Sequence, residues 1–98
     1  MTKGYILAEV EVTEPAGYDE YRKRVGATVE AFGGRFLVRG GDAERLEGEG
    51  PFHRMVVLEF DSPARAKEWY YSKQYQEVLP LRLRAGRADL FLVKGVEP

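Results

Sequence analysis

Apolar and polar residues alternate from the first residues of the chain. In Tyr5-Ile6-Leu7-Ala8-Glu9-Val10-Glu11-Val12 one set of side chains is Ile6, Ala8, Val10 and Val12, and the other is Tyr5, Leu7, Glu9 and Glu11. Successive side chains of a strand point to opposite faces, so this period predicts a strand whose purely apolar face lies against a helix. The period then changes. Tyr18, Tyr21, Val25, Val29 and Phe32 recur at steps of three and four, one stripe of an α-helix. Thr13-Glu14-Pro15 opens that helix, with proline in the first turn where its missing N–H is harmless, and Gly33-Gly34 closes it.

Alternation returns in Arg35-Phe36-Leu37-Val38-Arg39, which ends at Gly40-Gly41. A weaker strand extension is expected at Ala43-Glu44-Arg45-Leu46-Glu47, before a turn at Gly48-Glu49-Gly50-Pro51. The run from His53 to Phe60 is the strongest strand in the chain and reads as the hairpin partner. Asp61-Ser62-Pro63 predicts a second helix start, with Ser62 as cap and Ala66, Trp69 and Tyr70 on the buried side. The stretch from Trp69 to Ala85 is too apolar for a loop and too interrupted for one helix. Ser72 restarts it as the cap of a second helical piece with Tyr75, Val78 and Leu79 inward, and Pro80 is expected to break or kink that piece. The last strand is Asp89-Leu90-Phe91-Leu92-Val93, followed by a short tail from Gly95 to Pro98.

Strand, helix, strand, strand, helix, strand predicts one α+β domain over residues 1–98. The expected fold is a ferredoxin-like βαββαβ antiparallel sheet with its helices on one face. Tyr5, Leu7, Leu37, Met55, Val57, Phe91 and Val93 should then point away from the helices, with Glu9, Arg39, Glu59 and Asp89 among them. That much bare apolar surface calls for a cover, and the simplest cover is a second copy of the same chain. A homodimer is expected.

Charge and composition narrow the function. Fifteen Lys and Arg against sixteen Asp and Glu give a net charge of −1, which argues against nucleic acid or an anionic membrane as partner. The third strand also lacks the stacking ring of an RNA-recognition sheet, since its open face is His53, Met55, Val57 and Glu59. The absence of cysteine excludes disulfides, Cys-ligated zinc and thiol nucleophiles. With no apolar leader or spanning segment, a cytoplasmic protein is expected.

Two motifs together resemble a known family. Gly33-Gly34-Arg35-Phe36-Leu37-Val38-Arg39-Gly40-Gly41 followed by Val56-Val57-Leu58-Glu59-Phe60 is one. The other is Trp69-Tyr70-x-Ser72-x-x-Tyr75-Gln76-x-x-Leu79-Pro80-Leu81-Arg82. They are similar to the bacterial domain-of-unknown-function family 1330, within the dimeric α/β-barrel superfamily, over Gly4 to Gly95. The resemblance implies a dimer whose two sheets face each other as a barrel, and it carries no established reaction. Tyr71 and Lys73 depart from the family pattern, which has a small polar residue and an acidic residue or proline there.

The candidate chemistry is sparse. Glu59 and Arg39 interrupt apolar strands, and an ion on a half-buried face must be paired or solvated. They read either as a salt bridge at the barrel rim or as a general base and an anion clamp within it. His53, the sole histidine, is either an exposed strand end or an assisting base. Tyr70, Tyr75 and Arg82 are packing residues whose polar tips could line a cavity mouth. No ligand spacing supports a metal, no glycine-rich phosphate loop precedes a helix, and no cofactor is implied. Two functions stay open: a cofactor-independent oxygenase, isomerase or lyase acting on a small organic molecule, or a non-catalytic dimeric module that binds a metabolite or supports a partner.

Overall fold

The computed structural model describes residues 2–98. The elements are β1 (Gly4–Val12), α1 (Pro15–Ala31), β2 (Arg35–Arg39), β3 (Arg54–Phe60), α2 (Pro63–Tyr70), α3 (Lys73–Ala85) and β4 (Gly86–Lys94). The four strands form one antiparallel sheet in the order β2-β3-β1-β4, the ferredoxin-like arrangement. Ile6, Ala8 and Val10 of β1 and Leu58 and Phe60 of β3 are buried together with Tyr18, Tyr21, Val25 and Val29 of α1 and Trp69, Tyr75, Val78 and Leu79 of α2 and α3. The helices thus cover one face, as the alternation in β1 requires.

The helix ends follow from local chemistry. Gly33 takes a φ of 73° after α1, its N–H bonding the Glu30 carbonyl while that of Gly34 bonds Val29, a Schellman closure. The Ser62 hydroxyl caps α2 by accepting from the Arg65 N–H at 3.1 Å. Ser72 serves two helices at once: its hydroxyl accepts from the Tyr75 N–H at the start of α3 and donates to the Trp69 carbonyl at the end of α2.

Four local expectations are corrected. Pro80 lies inside α3, which runs on to Ala85, because Leu79, Arg82 and Ala85 on either side of it are buried in one packed stripe. The segment 41–53 has no regular structure and is exposed throughout, so Ala43–Glu47 is not a strand and His53 lies just ahead of β3. The last strand is longer than Asp89–Val93 and begins where α3 ends. Gly86 makes that junction, since a Cβ there would strike the Glu11 carbonyl.

The fourth correction matters most. The β2–β3 ladder pairs Arg35 with Glu59 and Phe36 with Leu58, then resumes with Val38 opposite Val57 and Arg39 opposite Val56. Leu37 is an extra residue, a β-bulge that shifts the alternation by one. Val38 therefore shares the open face with Val57, and Arg39 goes to the helix side with Phe36.

Candidate functional site

Glu59 and His53 lie on or beside the open sheet face and stand apart from each other. Glu59 accepts a hydrogen bond from the Tyr5 hydroxyl at 2.9 Å and forms an ion pair with Arg35. Arg39, expected as its counter-charge, is on the other side of the sheet. The Tyr5 bond, aided by Arg35 and opposed by desolvation, holds the Glu59 carboxyl below the usual glutamate range, the reverse of what a base working near neutrality needs. His53 is tied to β1: Glu9 accepts from its backbone N–H at 2.9 Å and lies 2.7 Å from its ring Nδ1. These two contacts, ring first, keep the Glu9 carboxyl below its ordinary value. Among the described residues, no group of three or more His, Cys, Asp or Glu is placed to hold a metal ion.

The helix side carries a more unusual arrangement. A small, partly open cavity of about 40 Å³ sits between the sheet and the helices, walled mainly by Ile6, Ala8, Val10, Val25, Leu58 and Trp69. Its polar lining is Tyr18, Tyr21 and three arginines, Arg22, Arg39 and Arg82, with no carboxylate. Arg82 is 5% exposed, and its Nε–H has no acceptor among the described residues. One Nη reaches the Tyr75 hydroxyl at 3.4 Å, which in turn lies 2.9 Å from that of Tyr21. Desolvation works against the Arg82 charge, but Tyr75 and then Tyr21 outweigh it and its pKa lies above the ordinary value. Burial, reinforced by Tyr75, pushes the Tyr21 phenol far up, so it stays neutral.

Arg39 stands at the rim of this cavity. It donates to the Arg22 carbonyl at 2.6 Å and stacks over the Phe36 ring at 4.0 Å. Partial burial and the neighbouring Arg22 cation lower its pKa. Behind it, Arg54 lies over the Tyr18 ring at 5.0 Å, and its own Nε–H is buried without an acceptor. Among the described residues, none of Arg22, Arg39, Arg54 and Arg82 forms an ion pair. Arg82 also borders a shallow cleft holding Glu9, Glu11 and Asp89, but Glu9 and Glu11 turn to His53, and Glu11 also to Arg87.

Of the other sequence candidates, Tyr75 is fully buried behind Arg82 rather than at a mouth, and Arg82 itself is interior. Tyr70 packs on Trp69 and Tyr75 and faces a separate open cleft along β4 with Lys67, Tyr71, Leu90 and Phe91. Arg22, Arg54 and the Tyr21 hydroxyl were not singled out from sequence. The one available signal was Arg82, a charge at the next step of the stripe Tyr75, Val78, Leu79.

The model of the domain of unknown function DUF1330 matches residues 3–96. The chain belongs to the DUF1330 family. Solved structures share the fold of this DUF1330 domain. A protein of unknown function from Rhodopseudomonas palustris aligns with a TM-score of 0.77 at 20% identity, over 99% of this chain and 85% of that one. A dimeric ferredoxin-like protein of unknown function from Jannaschia sp. CCS1 aligns with a TM-score of 0.69 at 15% identity, over 93% and 97%. SnoaB, a cofactor-independent oxygenase from Streptomyces nogalater, aligns with a TM-score of 0.55 at 10% identity, over 99% and 94%. At these identities the likeness is one of fold. No curated protein matches the DUF1330 domain in sequence. None of its described helices is long and apolar enough to cross a membrane.

Proposed function

We propose that this DUF1330 domain is a homodimeric small-molecule-binding protein whose ligand site is the cavity between sheet and helices, with the open sheet face as the contact between copies. One observation carries this reading: Arg82, a buried cation with a free N–H and no acidic partner, lines a cavity whose wall is mostly apolar. A buried polar group without its bond costs stability, and a site that must receive a ligand is where such a cost is kept. The same cavity favours binding over general-base chemistry, because neither an imidazole nor a carboxylate lines it. Cofactor-independent catalysis there would rest on Arg82 and Tyr21 stabilising a substrate anion, as fixed donors stabilise developing charge elsewhere. Glu59 and His53 are left to the intersubunit face.

Trp69, the single tryptophan, lines the cavity and reports on it. A metabolite screen read by Trp69 fluorescence and thermal shift should give ligands that stabilise the protein, by about 2.7 kcal/mol at a hundred times the dissociation constant. Ala8→Val, which fills the cavity from β1, should abolish the response. Ligands that bind this variant unchanged would place the site elsewhere.

A further inference from the structure

The lining of the cavity fixes more than its location. Three arginines and no acid converge on a space of about 40 Å³, and the Nε–H of the innermost guanidinium is buried without an acceptor. An apolar cavity that accepts benzene measures about 150 Å³, so this one, about a quarter of that, is too small for a ring while Arg39 keeps its place, and a carboxylate of four or five heavy atoms fills it and extends into its mouth. A guanidinium N–H bonds an oxyanion far more strongly than a neutral oxygen, and more so out of water. Arg22 and Arg39 meet at the exposed rim, where Asp19 shares the outer cleft with them, so the buried unmet donor is that of Arg82.

We propose that the ligand is a small aliphatic carboxylate of two or three carbons, its oxygen accepting from Arg82 Nε–H and its alkyl part against Val25, Leu58 and Trp69, with Arg39 setting the size limit at the rim. This rests on the cavity being the binding site. Inorganic anions share the charge but not the alkyl part, so the aliphatic wall should discriminate against them.

The test is ¹⁵N NMR of the Arg82 Nε–H and Trp69 indole signals in chloride-free buffer. Acetate and propionate should shift both signals saturably, and acetamide and propionamide should bind at least tenfold more weakly. Arg82→Met should remove carboxylate binding, while Arg82→Lys, which keeps a cation in the same stripe, should retain part of it if the Met variant does not fold. Benzoate should be excluded from the parent and admitted by Arg39→Ala. Equal binding of acid and amide, or carboxylate binding that survives Arg82→Met, overturns the anion assignment and leaves the cavity as a site for a neutral ligand. Chloride binding as tight as acetate overturns the carboxylate assignment. Benzoate binding equally to parent and Arg39→Ala overturns the role of Arg39. If these probes and the metabolite screen all leave both signals unmoved, the cavity itself is not a site.

Discussion

Arg82 sits where α3 needs an apolar residue, one step on from Tyr75, Val78 and Leu79. Its charge has no acidic partner, but the Tyr75 and Tyr21 hydroxyls more than offset its desolvation. Arg82→Met should therefore unfold at a lower temperature than the ligand-free parent, measured by calorimetry. An equal or higher unfolding temperature would mean that the unmet N–H costs more than the hydroxyl contacts return. Glu59 answers to pH. Its folded pKa is lowered from an ordinary value of 4.5, so its stabilisation is complete above that value and is lost as pH falls through the folded one. Tyr5→Phe deletes the main cause, and carboxyl NMR titration should show the Glu59 midpoint rising toward 4.5. Trp69 is 1% exposed, stacks at 4.2 Å from Tyr75 and donates to the Thr28 hydroxyl. Trp69→Ala should cost about 3–5 kcal/mol by chemical denaturation, as a large-to-small core change.

At the scale of elements, Ser72 holds α2 and α3 to each other with one hydroxyl, and Ser72→Ala should cost about 1–2 kcal/mol in urea denaturation. Most of the element order was legible because periods of two and of three to four are strong signals over runs as long as Tyr5–Val12 and Tyr18–Phe32. Three features were not. Leu37 is an apolar residue in an apolar strand, with no glycine or proline to mark the bulge, so counting by twos sent Arg39 to the wrong face and paired it with Glu59. Pro80 obeys the helix-breaking rule locally, yet burial of the turns around it keeps α3 whole. Ala43–Glu47 finds no partner strand. The cavity was half legible: Arg82 was named, but the arginines around Tyr18 and Tyr21 meet only through the fold.

Across the whole molecule, the open sheet face is the surface that the proposed homodimer would cover. Leu7 lies between Val57 on one side and Phe91 on the other, and Phe91 is 61% exposed in the single chain. A row of that kind is covered most simply by its own copy across a two-fold axis. Light scattering should give about twice the 11.1 kDa chain mass. Val57→Asp, which sets an unpaired charge at the centre of the contact, should shift the protein toward monomer.

Of the four strands β1 comes first along the chain and β4, one of its two partners, comes last: Gly4 pairs with Lys94, and the Gly95 N–H bonds the Lys3 carbonyl at 2.8 Å. The sheet cannot be completed until residues from opposite ends of the chain meet, and such distant pairing slows folding. It also leaves those two ends side by side. A short glycine-serine link across them, with the chain reopened in the exposed segment 41–53, would turn β4 and β1 into a hairpin. Such a circular permutant should keep the cavity and refold faster than the natural order in stopped-flow experiments.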